Sequence, residues 1–179
     1  MAEDLGIALD LYQPLRDFEG VSPAQLQRNL ARAERKFDVM QALGIPMLLV
    51  CSNAQPDAIG NPDLIAEQLR DLAEHASARG LKVAFEALSW GTHTNRYAQA
   101  WAAVERAGHP SLGLVLDSYH SLALRDDVSA IAELPGERIF FLQISDSPWD
   151  SSSPPCSLAH CGPSPVSASS TWSALSTRS

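Results

Sequence analysis

Three apolar runs in this chain each carry one oxygen-bearing polar residue near the C-terminal end: Glu86 in KVAFEAL, Asp117 in LGLVLDS and Gln143 in IFFLQIS. Carboxylate and amide oxygens are the ligands that hard divalent cations prefer. His120 follows Asp117 by three residues, in LGLVLDSYH, and an imidazole there can move a proton near neutral pH. The combination points to metal-assisted proton transfer on a small oxygenated substrate. Each residue also has a plainer role. Glu86 could form a structural salt bridge, Asp117 could cap a helix, His120 could sit on the surface, and Gln143 could satisfy its amide with backbone groups. Glu86 carries the most weight, because a carboxylate in so apolar a context needs a cation or an ionic partner.

Further polar residues fall just beyond strand-like runs, where loops line pockets. In YQPLRDFEG, Arg16 can bind two oxygens of a substrate carboxylate, or pair in solvent with Asp17 or Glu19. Ser52 and Asn53 end LLVCSN and could contact a substrate or simply form a turn. EALSWGTHTNRY brings Trp90, His93 and Asn95 after Glu86, with His93 a candidate substrate or metal contact and Asn95 a candidate helix cap. His75, His109 and the run Glu34, Arg35, Lys36 read as solvated surface.

These residues need elements to hold them, and strand-like and helix-like segments alternate from residue 5 to residue 146. The strand candidates are GIALDLY, PMLLVCS, KVAFEAL, LGLVLDS and IFFLQIS, nearly all apolar, as in a parallel sheet covered on both faces. The first helix has Ser22 as cap, Pro23 in its first turn and Gly44 as terminator. A second runs from about Pro62 to Arg79 before Gly80, a third starts near Asn95, and VSAIAEL gives a short one. Five βα repeats fit either a doubly wound sheet or part of an eight-stranded barrel. Alternation puts Ala84, Glu86, Val115, Asp117, Phe141 and Gln143 on one face, opposite Val83, Phe85, Leu114, Leu116, Phe140 and Leu142. Only a barrel gathers the three polar ends around a point; an open sheet spreads them along an edge.

The chain has 179 residues, 45% of them hydrophobic, and a formal charge of -8, which suits one soluble globular core and argues against a duplex nucleic-acid binder. It has no apolar run of about 18 residues and no signal-peptide pattern, so a cytoplasmic protein with no membrane partner is expected. No phosphate-cradling glycine loop, nucleophile elbow or aromatic nucleic-acid platform is present. Cys51 reads as a small buried filler. Residues 151–179 contain 11 Ser and 4 Pro among 29 residues and have no amphipathic period. The expected organisation is therefore a βα domain over 1–149 and a Ser/Pro-rich irregular, disordered tail over 150–179. The abrupt change of composition favours a shifted reading frame over a natural flexible terminus. Cys156, His160 and Cys161 in that tail match no common zinc spacing.

Taken together and in order, YQPLRDFEG, LLVCSN, FEALSWGTH, LGLVLDSYH and FFLQISD resemble the bacterial 3-dehydroshikimate dehydratases of the xylose-isomerase-like TIM-barrel superfamily, over about residues 5 to 149. The resemblance implies conversion of 3-dehydroshikimate to protocatechuate with a divalent cation, Mg²⁺, Mn²⁺ or Co²⁺, held by two Glu, an Asp and a Gln. Glu86, Asp117 and Gln143 match three of those ligands, and the second Glu has no counterpart. It further implies His120 as base or proton shuttle, Arg16 on the substrate carboxylate, and His93 in the pocket, beside which Ser52 and Asn53 remain candidate substrate contacts by position. By the same likeness the chain runs from the third strand to the seventh of an incomplete barrel, with little or no turnover expected of this chain alone. A sugar isomerase or epimerase of the same superfamily, or a nonenzymatic truncated product, are the competing expectations. The oligomeric state is not legible in the sequence.

Overall fold

The computed structural model describes residues 3–146. The expected tail and its Cys156, His160 and Cys161 lie outside the described residues. After a 3₁₀ turn at Glu3–Leu5 come β1 (Tyr12–Leu15), α1 (Pro23–Leu43), β2 (Met47–Cys51), α2 (Pro62–Ser77), β3 (Lys82–Glu86), α3 (Tyr97–Ala107), β4 (Leu112–Asp117) and α4 (Ser118–Ala123). Two 3₁₀ turns, Ser129–Glu133 and Gly136–Arg138, lead into β5 (Ile139–Gln143). All neighbouring strands are parallel, in the order β1-β2-β3-β4-β5. A doubly wound sheet reverses its strand order at the ligand crevice. This sheet never reverses, which is how a barrel wall is laid down.

Local chemistry explains the helix ends. Ser22 Oγ accepts the Gln25 N–H with Pro23 in the first turn, and Gly44 terminates α1 at φ 69°. Asn61 Oδ1 accepts the N–H groups of Asp63 and Leu64 at the start of α2. Asn95 does not cap α3; instead Gln99 reaches back and its Oε1 accepts the N–H groups of Asn95 and Arg96. VSAIAEL forms a 3₁₀ turn at Ser129–Glu133 rather than an α-helix, being a short segment closed by Pro135. Among the described residues no helix is long and apolar enough to cross a membrane.

The sheet divides the apolar residues into two layers. Leu48, Val50, Val83, Phe85, Leu112, Leu114 and Leu116 pack with Phe37, Met40, Leu69, Leu72, Ala100 and Val104 of the helices. The opposite face carries Leu49, Cys51, Ala84, Leu88 and Val115, with Leu11, Met47, Trp90, Phe140 and Phe141 against them. Each buried aliphatic or aromatic side chain contributes about 1.5–3 kcal/mol. Glu34 pairs with His75 and Arg79, and Arg79 also pairs with Asp38, so polar groups expected to be merely solvated link α1 to α2.

Two expectations are corrected. The first strand begins only at Tyr12, the last residue of GIALDLY, because only from Tyr12 does the chain meet β2, pairing Tyr12 with Leu48 and Leu15 with Val50. Ile7 and Leu9 have strand-like alternation but no ladder partner and remain exposed. Phe140 also leaves its expected face. The register slips between Leu114, opposite Ile139, and Val115, opposite Phe141, so Phe140 is the extra residue of a bulge and joins Phe141 on the inner layer. It lies against Gly113, where any Cβ would stand 2.5 Å from the Phe140 ring.

Candidate metal centre

Glu86, Asp117 and Gln143 are the last residues of β3, β4 and β5. Strand alternation aims all three at the inner face, as the shared layer of Ala84, Val115 and Phe141 requires. Asp117 is the direct ladder partner of Gln143, whereas Glu86 pairs with Val115. Asp117 therefore stands two residues, roughly 6–7 Å, farther along the sheet than Glu86. The longer Glu side chain spans part of that step. Glu86, Asp117 and His120 each offer a ligand atom within 4.8 Å of one another.

The Gln143 amide completes the cluster. With its nitrogen turned toward Gln13 Oε1, 3.4 Å away, its oxygen faces Glu86 and Asp117, and three acceptors meet with nothing positive between them. Turned over, the nitrogen donates to Glu86 Oε1 and Asp117 Oδ2, both at 3.1 Å. Neighbouring oxygens around an octahedral cation with bonds of about 2.1 Å lie about 3 Å apart. The donor set thus fits a hard divalent ion in one amide orientation and closes on itself in the other.

The electrostatics favour the same reading. Burial, then the Asp117 charge, raises Glu86 to about 7, against the opposing pull of the Cys51 thiol and the Arg16 charge. Asp117 is raised by burial and held back by the Tyr119 N–H, which its Oδ1 accepts at 2.8 Å as the cap of α4. His120 is lowered to about 4 by burial and then by Arg16, so at neutral pH its ring brings no charge to offset the carboxylates. A bound cation would relieve both acids at once.

His120 lies on α4, its Nε2 3.9 Å from Asp117 Oδ2. Ser89 presents both its backbone N–H and its hydroxyl to His120 Nδ1, each at 3.2 Å. Trp90 meets the imidazole edge-on at 5.0 Å, and its buried Nε1 has no partner among the described residues.

Arg16 follows β1, is exposed, and its charge reaches Glu86, Cys51 and His120. Ser52 and Asn53 are buried with their polar atoms committed to neighbouring loops. Ser52 Oγ accepts the Leu88 N–H, while Asn53 donates to Glu19 from its backbone and side chain at 2.7 Å and accepts the Thr92 N–H. They frame the strand ends. The structure does not bring His93 to the cluster. Its Nε2 is 2.8 Å from the Ala58 carbonyl and its ring covers Gly60, which fastens the loop after β3 to the loop after β2.

Sequence reasoning missed Cys51, whose thiol donates to Glu86 Oε2 at 3.4 Å, and Ser89 and Gln13, which contact His120 and Gln143. Only Cys51 left a signal, since it ends β2 as Glu86 ends β3.

Residues 1–160 match the family model described as xylose isomerase-like TIM barrel, and the chain belongs to that family. It is 55% identical, over 148 residues, to the 3-dehydroshikimate dehydratase of Pseudomonas putida; the match covers 83% of this chain and 23% of that protein. A solved xylose isomerase-like TIM barrel/4-hydroxyphenylpyruvate dioxygenase fusion protein is 53% identical with a TM-score of 0.83, over 85% of this chain and 24% of that one. The IOLI protein, solved with a zinc atom, shares the fold at a TM-score of 0.72 and 22% identity, over 81% of this chain and 55% of that one. The chain thus spans about a quarter of the length of the dehydratase relative it matches.

Proposed function

We propose that this chain carries the metal-binding and proton-transfer groups of a 3-dehydroshikimate dehydratase, which forms protocatechuate by loss of water. The observation that carries the reading is the convergence of Glu86, Asp117 and Gln143 at adjoining strand ends beside a neutral, buried His120. The 55% identity to a named dehydratase supplies the substrate. Glu86, Asp117 and Gln143 would hold Mg²⁺, Mn²⁺ or Co²⁺, and such an ion supplies Lewis-acid polarisation of a ketone oxygen.

Arg16 grips the substrate carboxylate with its planar guanidinium, which orients the ring over the inner face. Ser52 and Asn53 hold the strand ends in place, and His93 fixes the loop behind them. His120 Nε2 takes the proton from the carbon beside the ketone, while its Nδ1–H donates a hydrogen bond to Ser89 Oγ. The same Nε2 then returns a proton to the departing ring hydroxyl, which leaves as water. Trp90 and Phe141 wall the inner face and limit bulk solvent. A cytoplasmic setting belongs to this proposal and accords with Cys51 being a free buried thiol.

The test has two readouts on the purified chain. Calorimetric titration with Mn²⁺ should show one site that is lost in Glu86→Gln, and 3-dehydroshikimate with Mn²⁺ should give protocatechuate absorbance only at a low rate, because the second Glu has no counterpart in this chain. Failure of the chain to bind Mn²⁺ would remove the metal centre. Conversion of a ketose while 3-dehydroshikimate stays unchanged would replace dehydration with isomerisation.

A further inference from the structure

Cys51 and Glu86 are partners across the β2–β3 ladder, and both side chains are almost fully buried, at 2% and 5% exposure. The thiol lies 3.4 Å from Glu86 Oε2, while Glu86 Oε1 is the oxygen that faces Gln143, which also meets Asp117 Oδ2. The two oxygens of one carboxylate thus have different surroundings: one meets a sulfur, the other the cluster. The thiol donates its hydrogen to the acid, and Glu86 Oε2 accepts it.

We infer that Cys51 is a positioning residue: its S–H occupies Glu86 Oε2 and leaves Oε1 as the single oxygen offered to a divalent ion. The inference rests on the proposal that Glu86 is a metal ligand. Groups that hold the far side of a ligating carboxylate set its orientation, and their loss typically costs 10–100-fold in metal affinity. A thiol suits the task because it is a weak donor. It restrains rotation about the last bond of Glu86 without drawing off the negative charge that an ion needs. The long C–S bond also reaches across the ladder, whereas a hydroxyl on the same Cβ would fall short unless the backbone moved.

The experiment compares the full chain with Cys51→Ala, Cys51→Val and Cys51→Ser by calorimetric titration with MnCl₂, alongside thermal melting without the ion. We expect Cys51→Ala and Cys51→Val to bind Mn²⁺ about 10–100-fold more weakly, with Cys51→Ser recovering part of the loss. A role in packing alone predicts the reverse order, with the apolar, space-filling Val closest to the parent and Ser worst. That order, or binding within about twofold of the parent in Cys51→Val, overturns the inference. If Cys51→Ala does not fold, the Val and Ser variants carry the same comparison. Absence of Mn²⁺ binding in the parent chain would instead bring down the metal reading of Glu86, and the inference with it.

Discussion

Ser89 faces His120 Nδ1 with a donor and an acceptor together, its backbone N–H and its hydroxyl both 3.2 Å from that nitrogen. When Nδ1 is bare, the N–H satisfies it and the ring proton sits on Nε2. When Nδ1 carries the proton, the hydroxyl accepts it and Nε2 is free to act as a base. The ring can therefore hold either tautomer with Nδ1 paired, which matters for a buried imidazole.

Ser89→Ala keeps the N–H and removes only the acceptor. Loss of one hydrogen bond of about 1 kcal/mol in the protonated state should lower kcat roughly 5–10-fold with KM and Mn²⁺ affinity little changed. An unchanged kcat would show that the hydroxyl takes no part.

Arg16 makes no ion pair among the described residues, and its charge bears on three groups of the site. Arg16→Ala should raise KM about 10–100-fold, as loss of charged hydrogen bonds worth about 1.5–3 kcal/mol implies, with a smaller change in kcat. The imidazole of His120, relieved of a nearby positive charge, should titrate at higher pH in that variant, which NMR can follow.

Glu19 is buried, accepts the Asn53 N–H on one oxygen, and has no partner for the other among the described residues. Burial raises it to about 7, with Asp17 adding and two backbone N–H groups opposing. The folded chain therefore holds this proton when the unfolded chain has released it. Its contribution to stability is full below about pH 4.5 and is lost as pH climbs through 7, a change on the order of 3 kcal/mol. Urea unfolding at pH 5 and pH 8 should show a smaller pH difference for Glu19→Gln than for the parent. Subtracting the two proteins isolates Glu19 from His120, whose lowered pKa acts in the opposite direction. Equal pH differences would mean Glu19 titrates normally.

Gly91 lies where the loop after β3 passes Ser52. A Cβ there would collide with the Thr94 carbonyl and stand 2.5 Å from Ser52 Oγ. Gly91→Ala should destabilise the chain by about 1–3 kcal/mol and weaken Mn²⁺ binding, because it displaces the hydroxyl that anchors the Leu88 N–H two residues past Glu86. Parental stability and affinity together would show that the loop yields freely.

Features set by neighbours in sequence were legible in advance. Ser22, Pro23 and Gly44 bounded α1, and strand alternation put Glu86, Asp117 and Gln143 on one face. Features set by neighbours in space were not. Gly6 to Leu11 alternate like a strand but lack a ladder partner, and the slip that moves Phe140 inward exists only between β4 and β5. The commitments of Ser52, Asn53 and His93 to other loops depend on how those loops cross, which periodicity does not encode. Asp117 was weighed both as ligand and as helix cap; the structure commits Oδ1 to the cap and turns Oδ2 toward Gln143.

The offset that sets Asp117 two rungs beyond the residue opposite Glu86 has a final consequence. It fixes a side-chain length at each strand end: the lower position needs the extra methylene, and the upper one does not. Swapping the two acids, as Glu86→Asp with Asp117→Glu, would preserve every formal charge and every functional group while shifting both oxygens in opposite directions. Conservative by the usual measure, that exchange would strip the rim of its common focus.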